Sequence, residues 1–112
     1  MSLLQQKQVK FARMIPRLID KAFELGFEVT LGDAYRDPRV FGQMGEMKGY
    51  GNAKSCHKSR LAIDLNLFKD GAFLTTTEGH RPLGEYWESI GGSWGGRFND
   101  ANHYSLEHEG VR

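Results

Sequence analysis

A chain of 112 residues with 39% hydrophobic residues can form one small domain with an ordinary core, which excludes a largely disordered polypeptide. The formal net charge of +1 gives no electrostatic indication of nucleic acid or an anionic membrane, so we expect neither as a partner. Cys56 is the only cysteine, which excludes an internal disulfide.

The N-terminal segment "MSLLQQKQVKFARMIPRL" lacks the continuous apolar region and the small-residue cleavage site of a signal peptide. No segment reaches the roughly 18 apolar residues that span a bilayer. We therefore expect a protein made in the cytoplasm without a signal peptide, which reaches any target outside the membrane by another route.

The first half of the chain predicts one helix and one strand. Apolar residues recur at helical spacing over residues 4–25, and Gly26 is the expected C-terminal end of this helix. Pro16 lies inside this pattern and predicts a kink or a later helix start. Alternation over residues 27–31 then predicts a strand that ends in a polar cluster. Residues 37–56 are predicted to form a long loop, and such loops are often functional.

The second half predicts strands around one short helix. In the strand predicted over residues 61–68, aliphatic side chains alternate with Asp64, Asn66 and Phe68, so the aliphatic set should face the core. The next four residues, "KDGA", indicate a hairpin. Residues 82–90 suit a short amphipathic helix that ends at two glycines, and "NHYSLEHE" can form a last strand.

Three residues are candidate metal ligands, namely His57, Asp64 and His103. A catalytic zinc site usually takes three imidazole or carboxylate ligands and leaves a fourth position for water. A fully extended chain would separate His57 from Asp64 by roughly 23 Å, so the chain must reverse through residues 58–60. The spacing alone is weak support, because an acidic residue in a strand can simply belong to a polar outward face.

Asp100 precedes His103 by three residues, in a segment that also contains Asn99 and Asn102. A carboxylate beside a metal-bound water could take its proton and pass it to a leaving amine. Asp and Asn are also common turn residues, and His103 could be an ordinary strand histidine. Both interpretations remain open from the spacing.

Three segments together resemble a known superfamily. "SCHKSRLAIDLNL" resembles the "SxHxxGxAxDL" motif of the zinc D-Ala-D-Ala carboxypeptidases and dipeptidases. "EYWESIGGSWGGRFNDANH" is similar to the stretch before the last histidine in phage L-alanyl-D-glutamate endopeptidases of that superfamily. "GDAYRDPR" resembles the strand-end "GYR" segment that precedes them. The segments occur in the family order and span about residues 11–107.

The resemblance implies a role for each matching residue. His57, Asp64 and His103 fall on the ligands of Zn²⁺, and Asp100 falls on the acidic residue that acts as general base. Arg36 falls on the arginine that contacts substrate and stabilises the developing oxyanion, a task suited to a fixed cationic donor.

Two further positions of the motif matter for how the site is built. Ser55 falls on the motif serine, which implies a hydrogen bond to substrate or to a neighbouring site residue. Arg60 stands where the family usually has glycine, so the turn after the first histidine is expected to differ.

The resemblance implies an α+β fold of the hedgehog/DD-peptidase type, with a small antiparallel sheet and helices packed on one side. It implies one zinc peptidase domain over residues 1–112, which we expect to be a monomer acting on the peptidoglycan stem peptide. The implied activity is that of an L-alanyl-D-glutamate endopeptidase, which would act on the wall after phage lysis or as a virion component.

Two alternatives remain. The first is a D-Ala-D-Ala carboxypeptidase or dipeptidase that uses the same site. The second is a wall-binding module that kept zinc but lost turnover. The presence of Asp100 and Arg36 disfavours this module, because a structural zinc site needs neither residue. Among the other candidates, His80 and His108 are predicted to be exposed histidines rather than ligands. Cys56 is a weak candidate nucleophile, because no separate base and oxyanion loop surround it.

Overall fold

The computed structural model of the protein describes residues 1–35 and 55–112. Arg36 and nearly all of the loop predicted over residues 37–56 lie outside the described residues. The description below therefore concerns the two helices, the sheet and the turns formed by the described parts of the chain.

The N-terminal helix α1 spans Leu3–Glu24, which confirms the predicted helix. It begins with a capping box, in which the Ser2 hydroxyl accepts a hydrogen bond from the Gln5 backbone N–H and the Gln5 side chain accepts one from the Ser2 N–H. The later start considered at Pro16 is wrong, because this cap fixes the helix start well before the proline.

The described strands form one antiparallel sheet in the order β1-β2-β5-β4, with β3 paired to β2 as well. The central strand β2 pairs with β1 along one edge and with β5 and β3 along the other. With two helices and this small sheet, the predicted α+β class is confirmed. The strands are β1 Glu28–Leu31, β2 Ala62–Lys69, β3 Ala72–Phe73, β4 Ser93–Trp94 and β5 His103–Ser105.

Alternation along β2 separates a core face from an open face, as the sequence predicts. Leu65 and Leu67 are completely buried, and each contributes about 1.5–3 kcal/mol by the burial of its side chain. Asp64 and Asn66 alternate with these leucines, point to the opposite face and are partly exposed. The buried face packs against the helices, so the polar face is available for a site.

The second helix, α2, spans Thr77–Ser89 and therefore begins five residues before the predicted start at Pro82. Its N-cap is Thr76, whose hydroxyl accepts a hydrogen bond from the Gly79 N–H at 3.1 Å. The prediction placed the proline at the first turn, where prolines are common, and overlooked the threonine cap.

Helices α1 and α2 meet through aromatic packing that closes the core. The rings of Phe11 and Trp87 form an edge-to-face contact with centroids 5.9 Å apart. The Trp87 indole N–H donates to the carbonyl of Ser105 on β5 at 2.9 Å, which anchors α2 to the sheet. Neither described helix combines the length and the apolar character that crossing a membrane requires.

The hairpin turn after β2 was predicted from the sequence, whereas one short strand was not. Asp70 and Gly71 both have positive φ angles, of 52° and 79°, as a two-residue hairpin turn between β2 and β3 requires. The two-residue strand β4 was not predicted, since two residues are too few to show an alternating pattern.

Candidate metal centre

His57 lies in a 3₁₀ turn, Cys56–Ser59, that reverses the chain before β2. The Ser55 hydroxyl caps this turn by accepting a hydrogen bond from the His57 backbone N–H at 3.2 Å. The turn ends at Arg60, which adopts a left-handed conformation with φ of 58°. This is the chain reversal that the spacing of His57 and Asp64 required.

The ring of His57 is oriented by the backbone of the segment that follows β1. Its Nδ1 atom lies 2.9 Å from the carbonyl oxygen of Ala34, and a carbonyl can only accept a hydrogen bond. Nδ1 therefore carries the proton, and in the neutral ring Nε2 keeps its lone pair. His57 Nε2, the atom that carries this lone pair, lies 3.0 Å from Asp64 Oδ1.

Asp64 projects from the open face of β2, and the chain after β1 hydrogen-bonds to both its backbone N–H and its carbonyl. The Gly32 N–H donates to the Asp64 carbonyl at 2.8 Å, and the Asp64 N–H donates to the Asp33 carbonyl at 2.7 Å. Burial disfavours the charged carboxylate, but its interactions with the His103 and His57 rings, strongest when those rings are protonated, outweigh burial and lower the pKa of Asp64 to about 2. The carboxylate is therefore ionised at neutral pH.

His103 comes from β5 and lies directly opposite Asp64 in the β2–β5 pairing. Its Nδ1 atom is 3.3 Å from His57 Nε2 and 3.5 Å from Asp64 Oδ1. The ring is buried, and its Nε2 atom has no hydrogen-bond partner within residues 1–35 and 55–112. Asp64 and His103 thus meet because they occupy opposite positions of one strand pair.

These three side chains fit a metal ion. Their donor atoms are separated by 3.0, 3.3 and 3.5 Å. Ligands at 2.0–2.1 Å from a tetrahedral zinc would be about 3.3–3.4 Å apart, so the observed separations match one face of such a tetrahedron. Two imidazole nitrogens and an ionised carboxylate also form a donor set that suits a divalent transition metal.

Asp100 lies beside this triangle of donors but is not one of its corners. Its Oδ2 atom is 3.7 Å from His103 Nδ1, and its side chain is 51% exposed. The Asp100 N–H donates to the Gly95 carbonyl at 2.8 Å, and the Asp100 carbonyl accepts from the His103 N–H at 3.0 Å. Asp100 is thus a turn residue whose carboxylate faces both the ligands and solvent, a position from which it can exchange protons.

Close packing against glycine and tryptophan shapes the turn that carries Asp100 and His103. The Trp94 indole N–H donates to the Ala101 carbonyl at 2.7 Å, inside the turn. A Cβ atom at Gly95 would collide with the Asp100 carbonyl oxygen and lie 2.7 Å from the Cβ of His103. Sequence reasoning missed Gly95 as a site residue, although the glycine-rich stretch before the last histidine was a visible signal.

Two of the predicted site residues require separate comment. Ser55 is buried, and its hydroxyl caps the His57 turn, which fits the hydrogen-bonding role expected for it with His57 as the neighbour. Arg36 lies outside the described residues. Ala34, which orients His57 through its backbone carbonyl, had no side-chain signal that could have identified it.

The remaining histidines and the cysteine are not part of the donor cluster. The prediction that His80 is exposed is wrong, because its ring is buried and its Nδ1 atom lies 2.9 Å from the Tyr104 hydroxyl. His108 was also predicted to be exposed, but only 16% of its side chain is accessible. Burial is the largest cause that raises the pKa of the Cys56 thiol to about 11, which disfavours the thiolate that a nucleophile requires.

Comparison with known proteins finds one family that covers this part of the chain. Residues 48–106, just over half of the chain, match the protein family described as D-alanyl-D-alanine carboxypeptidase. The matched range includes His57, Asp64, Asp100 and His103. No curated protein matches the sequence.

Proposed function

The chain belongs to the D-alanyl-D-alanine carboxypeptidase family, metal-dependent peptidases that act on peptidoglycan peptides, and from this premise we propose that it is a zinc-dependent L-alanyl-D-glutamate endopeptidase. The observation that carries the proposal is the convergence of two imidazole nitrogens and one carboxylate oxygen within 3.5 Å of one another. A half-exposed carboxylate, that of Asp100, lies beside them, where a general base for hydrolysis could act.

In this proposal His57, Asp64 and His103 would hold Zn²⁺ through the three donor atoms that converge on one another. Bound there, zinc would polarise the carbonyl of the scissile bond and lower the pKa of its water. The hydrogen bond from His57 Nδ1 to Ala34 keeps His57 Nε2 available as a ligand atom. The described part of the chain supplies three protein ligands rather than four, which favours a catalytic site over a structural one.

Asp100 is the proposed general base. It accepts a proton from the attacking water and delivers it to the amine that leaves. Its exposure supports this role, since the carboxylate can reach both water and substrate. Arg36 is proposed to bind substrate and stabilise the oxyanion, since it follows Ala34 by two residues and Ala34 contacts the His57 ring.

The choice of bond rests on the resemblance of "EYWESIGGSWGGRFNDANH" to phage L-alanyl-D-glutamate endopeptidases. We propose that residues 1–112 form one monomeric catalytic domain with a phage lysin-like role. The protein would be made in the cytoplasm and would act on the cell wall after release or as part of a virion. A D-Ala-D-Ala carboxypeptidase is the second candidate, and the description of the matched family favours it.

Metal analysis and wall digestion test the proposal together. The purified protein should hold about one zinc per chain, and a chelator should abolish activity until zinc is restored. Mass spectrometry of digested wall should show new α-amino groups on D-glutamate and unchanged glycan reducing ends. Release of one terminal D-alanine would establish the carboxypeptidase instead, and zinc and wall binding without turnover would establish a binding module.

Replacement of Asp100 separates the base from the ligands. Asp100→Asn keeps nearly the same shape, so folding and zinc content should be unchanged while kcat falls about 10²- to 10⁴-fold. His103→Ala should instead lose the metal. Glu109→Gln, which removes an exposed carboxylate from the same C-terminal segment, is the control and should keep full activity. Near-normal turnover in Asp100→Asn would make Asp100 a turn residue only.

A further inference from the structure

A small polar pocket lies next to the donor cluster, along the edge of β2 that pairs with β5 and β3. On this edge β5 covers β2 up to Asp64, and β3 covers it from Phe68 onwards. The gap between the two partners opens into a pocket of about 290 Å³, at the lower end of the volumes of small-ligand sites. A pocket of this size suits one amino-acid residue.

Several hydrogen-bonding side chains that line the pocket are left without a partner in the part of the chain that the structure describes. Asn66 lies on the open face of β2, and Thr75 and Asn102 lie on the two sides of the gap. None of these three side chains has a hydrogen-bond partner among the described residues. His80 also lines the pocket, and burial lowers its pKa, so its ring is neutral at neutral pH.

The general base connects this pocket to the metal centre. Asp100 lines the pocket, and its Oδ2 atom is also 3.7 Å from His103 Nδ1. Asn66 follows Asp64 by two positions on the same face of β2, a separation of about 7 Å. A substrate bound at the metal centre would therefore extend into the pocket past Asp100.

The position of Asp100 decides which part of the substrate enters. In hydrolysis the water oxygen bonds to the carbonyl carbon, the C–N bond breaks, and the proton taken by Asp100 passes to the departing nitrogen. That nitrogen must lie within hydrogen-bond reach of the Asp100 carboxylate. The residue that carries the nitrogen must then lie on the pocket side of the base.

We infer that this pocket is the subsite for the residue that carries the leaving amine, and that Asn66 and Thr75 hold this residue by hydrogen bonds. The inference rests on the proposed function and adds to it the side on which the leaving residue binds. The lining within the described residues contains one carboxylate, Asp100, and no lysine or arginine. An uncharged amide fits this lining, whereas a free carboxylate would face Asp100 without a cation.

Steady-state kinetics of the zinc-loaded protein on a soluble stem peptide test the subsite. Thr75→Val and Asn66→Leu should each raise KM about 2- to 10-fold, the factor that one hydrogen bond contributes, with kcat and zinc content nearly unchanged. Thr75→Ser keeps the hydroxyl and should keep the wild-type KM. Thr30→Val removes an exposed hydroxyl from the residue that pairs with Asn66 on β1, outside the pocket, and should have no effect.

A pair of peptides tests the chemistry of the occupant. The two peptides differ only in whether the α-carboxyl of the leaving residue is free or amidated, and the amidated peptide should have the lower KM. An equal or lower KM for the free acid would overturn the preference for an uncharged group. Wild-type KM in both Thr75→Val and Asn66→Leu would overturn the subsite while leaving the peptidase intact.

A binding measurement tests the subsite without relying on catalytic turnover. The leaving fragment, a peptide that begins with D-glutamate, is titrated into the zinc-loaded Asp100→Asn protein, and the side-chain NH₂ signals of Asn66 and Asn102 are followed by NMR. Both signals should shift on binding. If the wild-type protein cleaves no stem peptide, the proposed function fails, and the subsite then fails as well unless these signals shift.

Discussion

Replacing Gly95 with alanine should disturb the metal centre without touching a ligand. Gly95 does not have a positive φ angle, so the reason for glycine at this position is space. The added Cβ would lie 2.7 Å from the Cβ of His103, whereas ordinary contact begins at 3.4 Å. His103 would have to move by roughly 0.7 Å, and the Asp100 carbonyl by more, because a backbone atom cannot rotate away.

This displacement sets the expected magnitude. Overpacking of this kind costs about 1–3 kcal/mol, which lowers the melting temperature but leaves the protein folded at 25 °C. A shift near 1 Å in the groups that position the reaction can lower the rate about 10²-fold, so kcat/KM should fall roughly 10- to 100-fold. Thermal unfolding and peptide hydrolysis measure these two effects, and zinc titration on the same preparation measures whether the displaced His103 still holds the metal.

The matched control is Gly79→Ala in helix α2. There the added Cβ would meet two side-chain atoms at 3.3 Å, and alanine is favoured over glycine in a helix by about 1 kcal/mol. This variant should keep its stability and its activity. Wild-type zinc affinity and turnover in Gly95→Ala would refute the argument that the turn requires this close approach.

Two further predictions concern buried groups outside the donor cluster. Cys56→Ala should keep the wild-type kcat. The wild-type thiol should react with iodoacetamide at pH 8 only after unfolding, because burial raises its pKa to about 11. If Cys56→Ala lost turnover but kept its zinc, Cys56 would again be a candidate nucleophile. Burial also lowers the pKa of His80 below its ordinary value of 6.5, so its contribution to stability is present above pH 6.5 and is lost as the pH falls through the lower folded value. Urea unfolding between pH 7 and pH 5 should therefore show a smaller loss of stability in His80→Gln than in the wild type, and equal losses would contradict this.

The sequence predicted the parts of the fold that depend on local pattern. The alternation in β2 assigned Asp64 to the open face, and the structure confirms it, because side-chain period and burial follow directly from strand geometry. The start of α2 was predicted wrongly, since Pro82 gave a stronger local signal than the Thr76 cap. His80 was predicted to be exposed because no local pattern reveals its contact with Tyr104, 24 residues away.

The convergence of the ligands depends on backbone contacts that no side-chain pattern reveals. The three ligands were identified by residue type and by resemblance, whereas their positions depend on the Ala34 carbonyl, on the pairing of Gly32 with Asp64 and on the space at Gly95. The pocket beside Asp100 exists because β5 and β3 each cover only part of one edge of β2. Pairing of this kind is decided by the whole sheet and not by any one segment.

Arg60 and Gly95 show that a side chain at a position suited to glycine must be judged by the physical reason for the glycine. Arg60 stands where the family usually has glycine and adopts a φ of 58°, a conformation that costs a non-glycine residue about 1–2 kcal/mol. Its guanidinium lies 4.1 Å from the centre of the Tyr35 ring, a contact that offsets part of this cost. A side chain is therefore tolerated at Arg60, because the requirement there is conformational. At Gly95 the space of a side chain is filled by backbone, so no local contact can compensate, and the ligand His103 must move instead.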